Sequence, residues 1–374
     1  MTTDFAAAMR RATGLTRAFD LSGATKVIQE ALAGKPTSAT APLDLPTLTP
    51  PQHTAPEPST PKTLGSRILR PLSEVVRTLK EGRATVLYAP QARRPAPAVP
   101  AGAQFVARSF TGRDGSRQFK LFIPEAAPRG LIVMLHGCKQ NPDDFAVGTK
   151  MNEVAARNNL LVAYPSQTNS ANAGGCWNWF APAHQMRDRG EPSILAGMTR
   201  ELMHEFGLER EQVFVAGLSA GGAMAAVMLE TYPDLFSGAG IHSGLAYRSA
   251  NDVMSAFAAM RGDATRVAVG ATVKHPYSAR VIIFHGDADS TVHPRNARRI
   301  LTERVDPNWA VTKAMGETNG QKFVQEVFTH GDNVMELWSV TGAGHAWSGG
   351  DPLGSYASAN GPNASSEIVR FFLA

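Results

Sequence analysis

A serine stands at the centre of the sequence Gly-Leu-Ser-Ala-Gly at 217–221. Residues 213–216 before it are apolar and typical of a strand, and residues 220–231 after it have the pattern of a helix. The small residues around Ser219 let strand and helix pass closely, so the chain turns sharply and exposes the hydroxyl. We therefore predict that Ser219 is a nucleophile and that the Ala220 amide, at the helix start, is one donor of an oxyanion hole.

A serine nucleophile needs a base, and the base needs an acid that orients it. The sharp strand–turn–helix around a serine is called a nucleophile elbow. Around such an elbow the three groups follow along the chain in the order serine, acid, histidine. His345 lies in a glycine-rich loop directly after the apolar run 334–340, and we predict that it is the base. The apolar run 281–284 leads into a loop with two candidate acids. Asp287 is next to the strand end, and Asp289, farther out on the loop, is favoured because it can reach His345.

The second oxyanion donor is expected in the loop after an earlier strand. The apolar run 131–135 leads into His-Gly-Cys at 136–138, where Gly137 permits close approach of the backbone, so we predict that the Cys138 amide is this donor. Such chemistry requires no metal or organic cofactor, and none is expected. The chain has two cysteines, too few for a disulfide scaffold and wrongly spaced for a zinc site.

Apolar runs alternate with helical patterns from about residue 104 onward. Short apolar runs bounded by Gly, Pro or Asp are typical of strands covered on both faces, and their alternation with helices predicts a mostly parallel sheet with helices on both faces. The carboxyl ends of such strands meet at one edge, where we expect the loops named above. The predicted strands are 118–123, 131–135, 160–164, 213–216, 236–241, 281–284 and 334–340. The predicted helices are 148–158, 193–206, 220–231, 295–303 and 364–373.

The first hundred residues have a different composition. Helical spacing of apolar residues predicts a helical hairpin at 1–34. Residues 35–103 are predicted to be a basic, proline-rich linker, since 35–62 alone contain eight prolines. An amphipathic helix is predicted within it at 66–83. Residues 104–374 are then expected to form the catalytic domain.

Charge is unevenly distributed along the 374 residues, 43% of which are hydrophobic, enough for one large core and an appendage. Residues 1–130 hold 18 basic and 9 acidic side chains, whereas the remainder holds 19 and 23. This basic front half predicts contact with a granule or another anionic surface, and an arginine-rich segment without a partner is the alternative. No nucleic-acid motif accompanies the charge, so no nucleic-acid partner is expected. No apolar run approaches the ~20 residues of a transmembrane helix, and without an evident signal peptide a cytoplasmic location is predicted.

Five motifs occur in one order: His-Gly-Cys-Lys-Gln at 136–140, Cys-Trp-Asn-Trp-Phe at 176–180, Gly-Leu-Ser-Ala-Gly-Gly at 217–222, His-Gly-x-x-Asp-x-x-Val at 285–292 and Gly-His-Ala-Trp-Ser-Gly-Gly at 344–350. Together they resemble the poly(3-hydroxybutyrate) depolymerase family of esterases, whose close relatives are feruloyl and acetylxylan esterases. The resemblance covers about 104–374. It implies an α/β-hydrolase fold, ester hydrolysis through an acyl-enzyme, and, by position, Asp289 rather than Asp287 as the acid.

The resemblance also implies that the segments of Cys138 and Cys176 lie side by side. A disulfide between them and a pair of free buried thiols both remain open. Four aromatic side chains are interpreted as an apolar rim that grips a polyester or aromatic acyl chain, with ordinary core aromatics as the alternative; they are Trp177, Trp179, Phe180 and Trp347.

Two departures from a typical secreted family member are expected: a front extension in place of a signal peptide, and no polymer-binding module after the catalytic domain. They favour a 3-hydroxyalkanoate polymer or oligomer inside the cell as the substrate. A feruloyl, acetyl or other small ester is the second expectation, and an extracellular location, as in many relatives, is the alternative. A hypothesis of another class is a non-catalytic granule-binding protein.

Overall fold

The structure is a computed structural model that describes residues 95–263 and 279–374. The predicted hairpin at 1–34 and the predicted helix at 66–83 lie outside these ranges, as does most of the basic linker. The predicted contact of the basic front half with an anionic surface therefore falls largely on residues that are not described. Within the described ranges no helix is long and apolar enough to cross a membrane.

The described residues form a ten-stranded sheet. Its order across the sheet is β1-β2-β4-β3-β5-β6-β7-β10-β9-β8. The six strands from β4 to β10 are mutually parallel, whereas two strands at each edge are antiparallel to their neighbours. The strands are β1 Gln104–Gly112, β2 Gly115–Ile123, β3 Leu131–Leu135, β4 Leu161–Pro165, β5 Val213–Leu218, β6 Gly238–His242, β7 Arg280–Gly286, β8 Ala310–Thr318, β9 Gln321–His330 and β10 Asn333–Val340.

Within residues 95–263 and 279–374, seven α-helices connect or follow the strands. They are α1 Pro142–Thr149, α2 Met151–Arg157, α3 Gly190–Phe206, α4 Ala220–Thr231, α5 Val253–Met260, α6 Arg295–Thr302 and α7 Ala364–Leu373. Two apolar clusters, one on each face of the sheet, form the core. The predicted parallel sheet with helices on both faces is confirmed.

Continuous apolar runs form the buried centre of the sheet, as the sequence predicts. Every residue of β3, β4, β5 and β6 is buried, because helices cover both faces of these strands. Five elements of the structure were not predicted from the residue pattern: the strands β1, β8 and β9 and the helices α1 and α5. In β8 eight of the nine residues are exposed, so no contrast between apolar and polar positions marks it as a strand.

The chain reverses its direction of winding at the centre of the sheet. From β3 it crosses to β4 on one side and then returns to β5 on the other. In open α/β sheets, sites form outside the carboxyl ends of the strands at such a switch point. The loop after β3 and the turn after β5 meet there, and the loops after β7 and β10 open on the same edge.

Candidate active site

Ser219 lies at a sharp turn between β5 and α4. Its backbone has φ 57° and ψ −119°, a region that non-glycine residues rarely adopt and that costs on the order of 1–3 kcal/mol. The turn requires glycine beside it, because a Cβ on Gly221 would lie 1.9 Å from the carbonyl oxygen of Leu135 in β3. The strained turn leaves Ser219 at the first turn of α4, 9% exposed.

His345 and Asp289 are joined by a hydrogen bond between loops that follow adjacent strands. His345 Nδ1 lies 2.7 Å from Asp289 Oδ2. The other carboxylate oxygen, Oδ1, accepts hydrogen bonds from the amides of Thr291 and Val292, each at 2.9 Å. The carboxylate is thus fixed by its own loop and presents one oxygen to the imidazole.

The charge on Asp289 is stabilised by its surroundings. Burial acts to raise the pKa of this carboxyl, but the hydrogen bond and charge of His345 and the amide of Val292 outweigh burial. Its pKa therefore lies below the usual value, and the group is ionised at neutral pH.

Asp287, the other candidate acid, also lies between the loops after β7 and β10, but it forms no hydrogen bond with His345. Its side chain accepts a hydrogen bond from the Gly342 amide at 2.6 Å, and its own amide donates to the Val340 carbonyl at 3.1 Å. These contacts anchor the start of the loop that carries His345. The structure therefore brings Asp289, and not Asp287, to the imidazole.

The amides of Cys138 and Ala220 stand beside Ser219. A Cβ added to Gly137, next to Cys138, would lie 3.6 Å from the Ser219 Cβ, which shows how closely this loop approaches the elbow. Within the described part of the chain, neither the Cys138 nor the Ala220 amide donates a hydrogen bond. Two unpaired donors next to a serine hydroxyl can bind a developing negative charge.

Gln140 supports this loop, a role that the sequence analysis did not assign. Its Oε1 accepts from the Gly137 amide at 2.8 Å, and its Nε2 donates to the Ser355 carbonyl at 2.7 Å. Because Gly137 is held by Gln140, the next amide along the loop, that of Cys138, is the one left available.

Cys138 and Cys176 form a disulfide in the structure. The bond joins the loop after β3 to the segment of residues 176–180, and the neighbouring Lys139 amide donates to the Gly174 carbonyl at 3.0 Å. Of the two alternatives left open by the sequence, the structure has the bonded pair. The candidate oxyanion loop is thereby held by the disulfide as well as by Gln140.

The interpretation of four aromatic side chains as a substrate rim is wrong for three of them, because Trp177, Trp179 and Trp347 are buried. Trp177 and Trp347 are 0% and 1% exposed. The Trp177 indole donates to the His136 carbonyl and that of Trp347 to Ser365 Oγ, each at 3.1 Å, so both polar ends are satisfied inside the protein. Both are core residues because each buried indole finds a hydrogen-bond acceptor there.

Of the four, Phe180 is the side chain that reaches solvent. Trp179 is 5% exposed and packs edge-on against Phe180, which is half-buried. Tyr356, which the sequence analysis did not single out, is 43% exposed and its ring lies 6.2 Å from that of His345. Phe180 and Tyr356 are the aromatic side chains of this group with surface available to a ligand.

His242, at the end of β6, links the elbow to the His345 loop, and no motif marked it in the sequence. Its carbonyl accepts from the Ser219 amide at 2.9 Å, and its ring Nε2 accepts from the Ser348 amide at 3.0 Å. The ring stacks on Trp347, with 5.0 Å between centroids. Burial, followed by the charges of nearby histidines, lowers the pKa of His242 to about 3, so the ring is neutral.

No group of three or more His, Cys, Asp or Glu side chains within residues 95–263 and 279–374 is arranged to hold a metal ion. The residues that converge at the site are instead a strained serine, an acid–histidine pair and two unpaired amides.

A family model described as Esterase PHB depolymerase matches residues 118–325. This chain belongs to the Esterase PHB depolymerase family. The matched range contains Ser219 and Asp289, and His345 follows it. The resemblance stated from the five motifs is thus confirmed.

The chain is similar in sequence to other proteins over part of their length. The chain is 30% identical over 250 residues to poly(3-hydroxyalkanoate) depolymerase C of Paucimonas lemoignei, covering 63% of this chain and 60% of the relative. It is 29% identical over 192 residues to acetylxylan esterase A of Talaromyces purpureogenus, covering 47% and 50%. The chain therefore spans between half and two thirds of the length of these two relatives.

Among solved structures, an acetyl xylan esterase from Aspergillus awamori is similar with a TM-score of 0.54 and 24% identity. The match covers 65% of this chain and 93% of that chain. Similarity at this identity shows the fold, and the predicted α/β-hydrolase fold is confirmed.

Proposed function

We propose that this protein is a serine esterase that hydrolyses carboxylic esters through an acyl-enzyme. The observation that carries the proposal is the hydrogen bond from His345 to an ionised Asp289, on loops that open beside the strained Ser219. An orienting acid, a histidine and a serine are the three groups that acyl transfer by serine requires. Membership in a family of esterases supports the same chemistry.

In the proposed reaction His345 takes the proton of the Ser219 hydroxyl as the oxygen attacks the ester carbonyl. Asp289 holds the imidazole with Nδ1 protonated and Nε2 facing the serine, and stabilises the imidazolium that forms. The amides of Cys138 and Ala220 bind the oxyanion. His345 then returns the proton to the leaving alcohol, and water activated by the same ring releases the acid.

Among the described residues no hydrogen bond joins the Ser219 hydroxyl to His345, whose Nδ1 is bonded to Asp289. Catalytic hydrogen bonds are often long without substrate and shorten in the Michaelis complex. The glycines around His345 in this loop allow the ring to move so that Nε2 reaches the hydroxyl.

The proposed substrate is an ester of a 3-hydroxyalkanoate, as a polymer or an oligomer. The relative from Paucimonas lemoignei supports this choice, since its name states that activity. The second candidate is a small ester such as an acetyl or feruloyl group on a polysaccharide. It is favoured by the acetyl xylan esterase structure, which this chain covers almost completely.

We further propose that the protein works in an oxidising compartment. Disulfides persist outside the reducing cytoplasm, and the bonded Cys138–Cys176 pair tethers a loop that the proposed reaction uses. This proposal replaces the cytoplasmic location predicted from the sequence with its stated alternative.

The test measures acid release from three substrates at equal ester concentration: oligo-3-hydroxybutyrate, acetylated xylan and a feruloyl ester. We expect 3-hydroxybutyrate to be released fastest. Ser219→Ala should lower that rate by on the order of 10⁶. The exposed Ser116→Ala, in the hairpin of β1 and β2, is the matched control and should keep the wild-type rate. Hydrolysis that persists in Ser219→Ala would contradict the mechanism, whereas faster release of acetate or ferulate would move the substrate to the second candidate.

A further inference from the structure

Among the described residues, β8 is an edge strand with no further strand beside it. It stands last in the strand order, and eight of its nine residues are exposed. Met315, next to the central residue of the strand, is 80% exposed and Val311 is 52% exposed. A long edge strand with free backbone groups is a template for pairing with another strand, and natural proteins usually cover or charge such an edge.

The hairpin turn fixes which backbone groups of β8 are free. Asn319 and Gly320 connect β8 to β9 with φ of 48° and 72°, the left-handed pair of a two-residue type I′ turn. The closing residues Thr318 and Gln321 lie opposite each other and bond to each other. Since the pattern alternates, the N–H and C=O groups of odd-numbered residues point away from β9, and those residues are Val311, Lys313, Met315 and Glu317.

The outward-pointing residues of β8 are complementary to themselves. When a second copy pairs antiparallel with Met315 opposite Met315, Lys313 lies opposite Glu317 of the second copy, and the two-fold axis repeats that pair. Opposite charges across strands stabilise pairing, whereas like charges directly opposite oppose it. A register centred on Lys313 or on Glu317 would place like charges face to face, so the central register is favoured.

The neighbouring strand extends this charge pattern. In the hairpin Glu317 lies opposite Lys322, and Lys313 lies opposite Glu326. All four side chains are on one face, because residues directly opposite in a sheet share a face. In the central register the row reads Lys322, Glu317, then Lys313 and Glu326 of the second copy, so the sign of the charge alternates across the contact.

We propose that β8 pairs with β8 of a second copy of this chain to form a two-fold symmetric dimer with one continuous sheet. The pairing bonds the free backbone groups of the odd-numbered residues and buries Met315 against its own counterpart. A two-fold axis perpendicular to the sheet turns the second copy end for end. The two edges that carry Ser219 therefore lie on opposite sides of the joined sheet, and both stay open.

The test uses two charge-reversal variants. Each variant alone places like charges opposite each other in the dimer, and opposite charges are restored only when the two variants pair with each other. Lys313→Glu places Glu opposite Glu in its own dimer, and Glu317→Lys places Lys opposite Lys. In an equimolar mixture of the two variants each reversed residue again meets an opposite charge. Sedimentation of the full chain, whose monomer mass is 39.9 kDa, should give a dimer for the wild type over about 1–100 µM.

We expect each variant alone to have a dimer dissociation constant at least about tenfold higher than the wild type, and the mixture to recover most of the loss. Glu201→Lys makes the same charge change on the exposed side of α3 and should dimerise as the wild type does. Ester hydrolysis per chain should be unchanged in all of these proteins. A monomeric wild type, a variant that alone keeps the wild-type dissociation constant, or a mixture that recovers none of the loss would each overturn the proposal.

Discussion

Replacing Asp289 by asparagine exchanges one carboxylate oxygen for an NH₂ group. Because of the contacts within the Asp289 loop, this exchange also moves the proton of the His345 ring from Nδ1 to Nε2. Oδ1 is held by two backbone amides, and the asparagine oxygen must stay there because an NH₂ group in that place would face two donors. The NH₂ group is then turned toward His345 Nδ1, 2.7 Å from the replaced oxygen in the wild type. An imidazole that accepts at Nδ1 carries its proton on Nε2 and cannot take the proton of Ser219.

We expect Asp289→Asn to lower kcat by about 10⁴, which corresponds to about 5.4 kcal/mol of transition-state stabilisation. The assay is initial-rate hydrolysis of a soluble 3-hydroxybutyrate oligomer by folded protein, with folding checked by circular dichroism. Asp287→Asn is the matched control on the same loop and should stay within about tenfold of the wild type, since its side chain bonds to Gly342. The reasoning is refuted if Asp289→Asn keeps more than about a tenth of the rate, or if both variants lose the same amount.

Three further predictions concern stability and the loop tether. In the folded protein His242 stays neutral down to about pH 3, whereas in the unfolded chain the ring takes up a proton below about pH 6.5. The free energy of unfolding should therefore fall as the pH drops from about 6.5 to about 3. His242→Gln should reduce the slope of the free energy of unfolding against pH by about 1.4 kcal/mol per pH unit, measured by urea titrations. Cys176→Ser should lower the free energy of unfolding by up to about 4 kcal/mol, because the unfolded chain is no longer cross-linked; thermal melts check this. The same variant should lower kcat more than it changes KM, because the Cys138 amide is no longer held in position, and steady-state kinetics check this. Gly221→Ala should abolish soluble expression, since its Cβ would overlap the Leu135 carbonyl; wild-type yield would contradict the packing described for the elbow.

Much of the fold follows from local sequence. Residues 131–135 and 220–231 have their predicted bounds because a buried strand and an apolar helix each leave a periodic pattern. The strand β8 leaves none, since both of its faces are exposed. Its place in the sheet comes from pairing with β9, which the residue pattern of β8 alone does not encode.

The parts of the candidate site that could be predicted are reactive side chains that follow directly after a predicted strand. Ser219 and His345 have that position. Local sequence favoured Asp289 over Asp287 because of its place farther out on the loop, and the family pattern then settled the choice. The burial of Trp177 and Trp347 was not predictable, because a rim tryptophan and a core tryptophan in a loop have the same sequence appearance. The same holds for His242 and its link between two loops, which depends on contacts between residues far apart in the chain.

The central claim is that Ser219 is a nucleophile activated by its surroundings. Reaction of the folded protein with a fluorophosphonate, followed by peptide mass spectrometry, tests it most directly. The account predicts one adduct, on Ser219, formed rapidly in the wild type and slowed by orders of magnitude in His345→Ala or after unfolding in urea. Absence of an adduct on Ser219 in the folded protein, or equal labelling of other serines, would contradict it.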